Sequence, residues 1–253
     1  LDDHNYKMVF FLFVVSVIKN LVVILIMGLV GVPQVFELQY YKEFLLILIL
    51  LYFLLFKNRL FTNITPTDFI AIFFVLYVFT GPLWLGDATT FGVLASLRQI
   101  LVPFLFYFLG KHVVMNRGNL KKLMKRLATF GVVMVLFGLV ETVLWPTFWA
   151  DVNIIAFFEE RRGEHLKIHQ GMPTNFFTSD FVALVGEPVR RMAGFVANPP
   201  VFAHILGFLA VFVLFTGEFT NKRKWTILAL ITLGIAMTLG KGGIITIGIG
   251  VIF

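Results

Sequence analysis

From Met8 to Val30 the chain carries one charged side chain, Lys19, and further apolar runs follow at Leu38–Phe56, Phe69–Leu85, Phe91–Gly110, Leu127–Trp145, Val201–Phe215, Trp225–Leu239 and Ile244–Phe253. A helix rises about 1.5 Å per residue, so roughly 20 apolar residues cross a hydrocarbon core of about 30 Å. The shorter runs reach that length by recruiting their flanks. Hydrophobic residues make up 59% of the chain and charged ones 14%, against about half and a quarter in soluble domains. The pattern predicts an all-α integral membrane protein, a multi-span helical bundle forming one domain over 1–253. Seven spans and the start of an eighth are expected (8–30, 38–56, 69–85, 91–110, 127–145, 201–215, 225–239 and 244–253), with one long loop at Pro146–Val189. The first run is not followed by a small-x-small cleavage signature, so it reads as a span rather than a signal peptide. The chain opens on Leu1 and stops inside an apolar run, which predicts a natural protein continuing past Phe253.

Basic residues orient the spans, because cytoplasmic loops are enriched in lysine and arginine. Lys111, Arg117, Lys121, Lys122, Lys125 and Arg126 follow the fourth run with no acidic residue among them. Lys222, Arg223 and Lys224 precede the seventh run, and Lys57 and Arg59 follow the second. With all three clusters in the cytoplasm, the N-terminus lies inside and the Pro146–Val189 loop outside. In that loop Arg161, Arg162 and Lys167 are offset by Asp151, Glu159, Glu160, Glu164, Asp180 and Glu187. Its stretch Asp151–Ile168 alternates apolar and charged groups and suits an amphipathic helix at the interface, capping a cavity or decorating the rim. The net charge of +7 is thus a topology signal, membrane lipids are the expected surroundings, and no nucleic-acid partner is expected. There is no cysteine, hence no disulfide framework or thiolate metal site.

Six charges remain outside that scheme: Lys19, Arg98, Glu141, Arg190, Arg191 and Lys241. A charge in or at the edge of a span is costly unless it snorkels, pairs or faces a wet cavity. Arg98 lies about seven residues, roughly 10 Å, below the outer end of its helix, and either snorkels or ligates an anion. Lys241 is either a turn lysine between glycines or a partner of Arg98 at the same face. Arg190 and Arg191 either touch lipid headgroups at the rim or join an anion site. For the second reading, Asn198 and Pro199 open a helix, a helix N-terminus favours anions, and the arginine fork suits phosphate oxygens. The combination predicts an outward site for a phosphorylated ligand. Glu141 pairs with Arg98 or acts as a base. His204, one turn into its helix, reads as a packed polar residue more readily than as a catalyst. His165 and His169 have no third ligand at metal spacing, so no metal site is assigned, and Lys19 has no assigned role.

Arg191-x-x-Gly194-Phe195-x-x-Asn198-Pro199, opening a helix after a long external loop, resembles a motif of the bacterial O-antigen ligase and O-antigen polymerase superfamily. The stretch Thr238-Leu-Gly-Lys241-Gly-Gly resembles that family's small-polar-Arg/Lys-Gly element two helices later, and Ser96-Leu-Arg98-Gln-Ile-Leu its arginine-bearing earlier span. The likeness covers roughly 90–253; the first three spans match only in being hydrophobic. It implies a plasma-membrane glycosyltransferase that moves or polymerises a glycan from an undecaprenyl-diphosphate-linked donor onto a glycan or lipid acceptor at the external face. It implies no metal or other cofactor. Carried over, Arg98, Arg191 and Lys241 hold the diphosphate, with Arg190 as helper. The chain departs from the pattern in Pro200, where a small or polar residue is usual. It also has no match for the catalytic-looking histidine of the ligases, which falls beyond Phe253. The acceptor-activating base is therefore either outside this sequence or of another kind, such as Glu141 or Glu187. The competing class is a transporter or flippase for an anionic or lipid-linked substrate, expected to show repeated halves and broken helices near mid-membrane. No repeat is visible, and the unexplained charges gather at one face. A non-catalytic scaffold or receptor leaves the arginine cluster unexplained.

Overall fold

The computed structural model describes residues 2–31, 44–45, 47–48, 65–84, 104, 106–107, 110, 116–162, 167–216 and 219–252. The described chain is mostly helical. It divides into two compact units, Leu1–Gln39 with Met115–Phe253, and Tyr40–Val114, where the sequence reading has a single domain. Most of the expected spans 38–56 and 91–110, with Lys57, Arg59, Arg98 and Lys111, lies outside the described residues.

In the smaller unit, Thr65 and Asp68 form a capping box. The Asp68 carboxylate accepts from the Thr65 backbone N–H at 2.5 Å and from its hydroxyl at 2.8 Å, so the helix starts at once, at Pro66. The Tyr107 hydroxyl donates to the other Asp68 oxygen at 3.1 Å, and Phe74 stacks on Phe104.

The helices of the whole chain are named in order: α1 Asp2–Val30, α2 Pro66–Trp84 (the smaller unit), α3 Arg117–Leu139, α4 Phe148–Asp151, α5 Ile154–Arg162, α6 Val182–Val185, α7 Pro199–Phe215, α8 Asn221–Thr238 and α9 Lys241–Ile252. α3 starts ten residues before the expected edge at Leu127. Asn116 caps it by accepting from the Asn119 N–H at 2.7 Å, and the lysines and arginines that follow are good helix formers, so the basic segment is helix rather than loop. α3 ends in a π turn, Val140–Leu144, closed by the Trp145 N–H on the Val140 carbonyl. Tyr6–Leu29 and Arg117–Leu144 are long and apolar enough to cross a membrane; Pro66–Tyr77 and Pro199–Phe215 are shorter apolar helices.

Contacts fix the helix directions. Tyr6 meets Arg126, and Phe10 and Phe13 meet Phe130, so α1 and α3 run parallel. Gly131 lies against Leu209 and Ile231, and Gly234 against Val135 and Leu206, which makes α7 antiparallel to α3 and α8 parallel to it. α9 runs back alongside α7. One end of the larger unit therefore gathers the starts of α3 and α8, with their basic clusters. The other end gathers the ends of α1, α3 and α8, the starts of α7 and α9, and the long loop.

That loop has its own core. Ile154, Phe157 and Phe158 of α5 are buried with Trp149, Met172 and Phe176 against Val23 and Ile24 of α1. The segment thus turns its apolar side chains onto the protein and packs at the bundle end. Two short hairpins brace it. In the first, Ile168–His169 (β1) pairs antiparallel with Met172–Pro173 (β2), and Gln170 and Gly171, both at positive φ, form the tight turn that two-residue hairpins favour. In the second, Phe177–Thr178 (β3) pairs with Val189–Arg190 (β4), Phe177 opposite Arg190.

α7 and α9 touch through small residues. A Cβ on Gly207 would lie 2.7 Å from the Gly243 carbonyl oxygen, and one on Gly243 would lie 2.7 Å from that of Ala203. Backbones that close leave no room for a methyl, as at small-residue helix crossings. Gly207→Ala should force the helices apart at a cost of about 1–3 kcal/mol, read as a lower melting midpoint of the purified protein. An unchanged midpoint would contradict the packing.

Candidate functional site

The segment after β4 sorts the two arginines. Consecutive residues of an extended chain point to opposite sides, so Arg190 and Arg191 part company. Arg190 turns inward to Glu141. Its Nη2 donates to a Glu141 carboxylate oxygen and to the Glu141 backbone carbonyl, both at 2.9 Å. The other Glu141 oxygen accepts the N–H groups of Ala193 at 2.7 Å and Gly194 at 3.1 Å. Glu141 continues the buried stripe of Met134 and Gly138, and its side chain has no solvent exposure. A buried carboxylate survives only with such partners.

Both oxygens of Glu141 are therefore committed to partners within the protein. Glu141 pairs with Arg190 and holds the loop's return strand to α3; Arg98, the partner expected from the sequence, lies outside the described residues. Arg190 for its part does not join Arg191 as a second anion ligand; its Nε is buried without a hydrogen-bond partner among the described residues.

Arg191 crosses the end of α8. Its Nε donates to the Thr238 carbonyl at 2.8 Å, and its Nη2 lies 3.5 Å from the Leu239 carbonyl. Its backbone N–H bonds the Phe176 carbonyl, and the next N–H, of Met192, bonds the Met237 carbonyl. Leu239 adopts φ 49 and the chain turns into α9 at Lys241. Lys241 Nζ lies 3.6 Å from Asp180 in an exposed ion pair. Arg191 and Lys241 are thus brought together around one turn, Leu239-Gly240-Lys241, with Asp180 beside them. Burial pushes the Arg191 guanidinium below its usual value and the Asp180 charge pulls it back up; arginine stays cationic throughout. Arg98 lies outside the described residues. Glu187 is exposed, between Gly186 at positive φ and Pro188.

The other motif residues have local jobs. Gly194 has φ 56, and a Cβ there would meet the Phe202 ring at 2.5 Å, so no side chain fits. Phe195 packs on Phe137 with centroids 4.4 Å apart. Asn198 caps α7 by accepting from the Val201 N–H, with Pro199 opening the helix. Together they aim the chain so that Arg191 falls over the end of α8.

His204 is exposed on α7. The Thr246 hydroxyl donates to the Gly242 carbonyl at 2.8 Å and lies 3.1 Å from the His204 Nδ1. Among the described residues, no three histidine, aspartate or glutamate side chains gather to hold a metal.

Asp180 has the place in this group that sequence reasoning missed. It counted only toward the loop's charge balance, and the hairpin register alone carries it to Lys241. Asp180→Asn should leave stability within about 0.5 kcal/mol, because the pair is exposed. If the turn ligates a diphosphate, as expected from the sequence, the change should also tighten pyrophosphate binding up to about five-fold by freeing Lys241, measured by calorimetry. Weaker binding would contradict Asp180 as a competitor for that cation.

Comparison with protein-family models, curated proteins and solved structures finds no match.

Proposed function

We propose that the chain is a multi-span plasma-membrane glycosyltransferase that takes a glycan from an undecaprenyl-diphosphate-linked donor, with the loop end external and the N-terminus cytoplasmic. The membrane reading is supported by the two long apolar helices, whose windows are only 28% and 39% buried. The core helix of a soluble protein is mostly covered, whereas a span turns apolar side chains to lipid. The segregation of the basic clusters to the end opposite the loop supports the orientation.

The observation that carries the reaction is the meeting of Arg191 and Lys241 at one turn on the loop end. Two cations there offer a diphosphate a fork and a point charge. In the transfer, the bond between the donor's anomeric carbon and the phosphate oxygen breaks. A bond from that carbon to the acceptor hydroxyl oxygen forms, and the hydroxyl proton goes to a base. Charge grows on the departing diphosphate, and cations placed there act most strongly in the transition state. Arg98, which the family resemblance implies as a further diphosphate ligand, lies outside the described residues. Glu187, exposed on the same loop, is the candidate base, since Glu141 is committed to Arg190.

Lys241→Gln is the clean test, because the lysine side chain is 84% exposed and its loss leaves the fold intact. In membranes supplied with lipid-linked donor, product formation should fall by about 10²-fold at unchanged protein level. Full product from this variant would remove Lys241 from the site.

A further inference from the structure

At the opposite end of the larger unit, α1 and α3 enclose a groove of about 560 Å³. Its floor is aromatic: Tyr6 and Phe10 from α1, and Phe130 from α3, which meets Phe10 edge-on at 6.3 Å. Its rim is basic. Arg126 stacks over Tyr6 at 5.0 Å and over Phe10 at 5.9 Å; Lys122 lies 5.7 Å above Tyr6, and Lys125 lines the groove beside them. Stacking on the rings holds the Arg126 guanidinium in a fixed plane.

Along this side of α3 the groove-lining residues change from charged to apolar in one direction: Lys122, Lys125 and Arg126, then Thr129, then Phe130 and Val133. At about 1.5 Å per residue that gradient spans roughly 16 Å. No aspartate or glutamate occurs between Lys111 and Val140, so α3 itself brings no internal anion to the rim.

We propose that this groove binds an anionic phospholipid of the cytoplasmic leaflet, its phosphate on Lys125 and Arg126 and an acyl chain along Phe130 and Val133. The charge order matches such a molecule end to end. A free phosphate would use the rim and leave the aromatic and apolar half unused, and a zwitterionic lipid would bring its own cation to a basic rim. Basic pockets between spans on the cytoplasmic side are suited to anionic headgroups. The inference needs the membrane reading above but not the transfer reaction.

The test places a reporter at the apolar end. Full-length Val133→Trp, in bilayers of phosphatidylcholine containing brominated phosphatidylglycerol or brominated phosphatidylcholine, is read by fluorescence quenching relative to the unaltered chain. Quenching should show about ten-fold preference for phosphatidylglycerol. Lys125→Gln with Arg126→Gln in the same background should abolish it. Arg117→Gln with Lys222→Gln, which removes as much charge outside the groove, should keep it, and inorganic phosphate at millimolar level should not displace the lipid. Equal quenching by the two lipids, or equal loss in both charge variants, overturns the site. Displacement by inorganic phosphate reassigns the rim to a free anion and overturns the lipid. Absence of quenching by either lipid defeats the membrane reading itself, an outcome distinct from these.

Discussion

Glu141→Ala should be the most damaging single substitution in the larger unit, lowering stability by about 3–5 kcal/mol. The carboxylate has no exposure and accepts from Arg190, Ala193 and Gly194. Its removal strands a guanidinium whose side chain is 14% exposed and leaves two N–H groups without acceptors, each a further desolvation cost. Glu141→Gln should fall between, because the amide oxygen still serves Ala193 and Gly194 while the amide nitrogen faces Arg190. Removing both partners, Glu141→Gln with Arg190→Met, should cost less than the sum of the single changes. Thermal melting in detergent reads these variants together with Arg190→Met alone and the parent. A Glu141→Ala protein as stable as its parent would refute the clamp and reopen Glu141 as a base.

The second large effect falls on Arg191. Arg191→Gln removes the cation proposed to grip the departing diphosphate, and on that reading product should drop by about 10²–10³-fold. Because the same guanidinium ties the loop to the Thr238 carbonyl, some protein should also be lost, and product is to be expressed per folded molecule. Arg191→Lys separates the two roles. Lysine keeps the charge but not the planar fork, so it should recover only a small part of the transfer. Full activity in Arg191→Lys would mean that a point charge suffices there; full activity in Arg191→Gln would sink the assignment.

The helical architecture and the start of α7 were legible in the chain because they follow from local chemistry. Apolar runs long enough to be helices stand out in composition alone, and Asn198-Pro199 is a helix start that works within a few residues. The meeting of Arg191 with Lys241 was readable for a related reason. Alternating helix directions put the starts of α7 and α9 and the end of α8 at one level.

What the chain hid depends on register and on tertiary partners. Arg190 and Arg191 look alike as neighbours, yet one residue of extended backbone sends them to different sides, one into Glu141 and the other onto Thr238. The early start of α3 was masked by its charges, which hydropathy scores as loop although lysine and arginine are content in helix. The loop's private core around Trp149 and Phe176 carries no periodic signature, since its side chains come from short turns and hairpins. Asp180 reaches Lys241 only through the β3–β4 pairing.

The central claim is that the turn joining α8 to α9, together with Arg191, binds a lipid diphosphate. Equilibrium binding of undecaprenyl diphosphate to the purified chain tests it most directly, with undecaprenyl monophosphate as the comparison. The parent should bind the diphosphate in preference to the monophosphate, and Arg191→Gln with Lys241→Gln should lose that preference while melting as a folded protein. Undiminished, diphosphate-selective binding by the double variant would contradict the account.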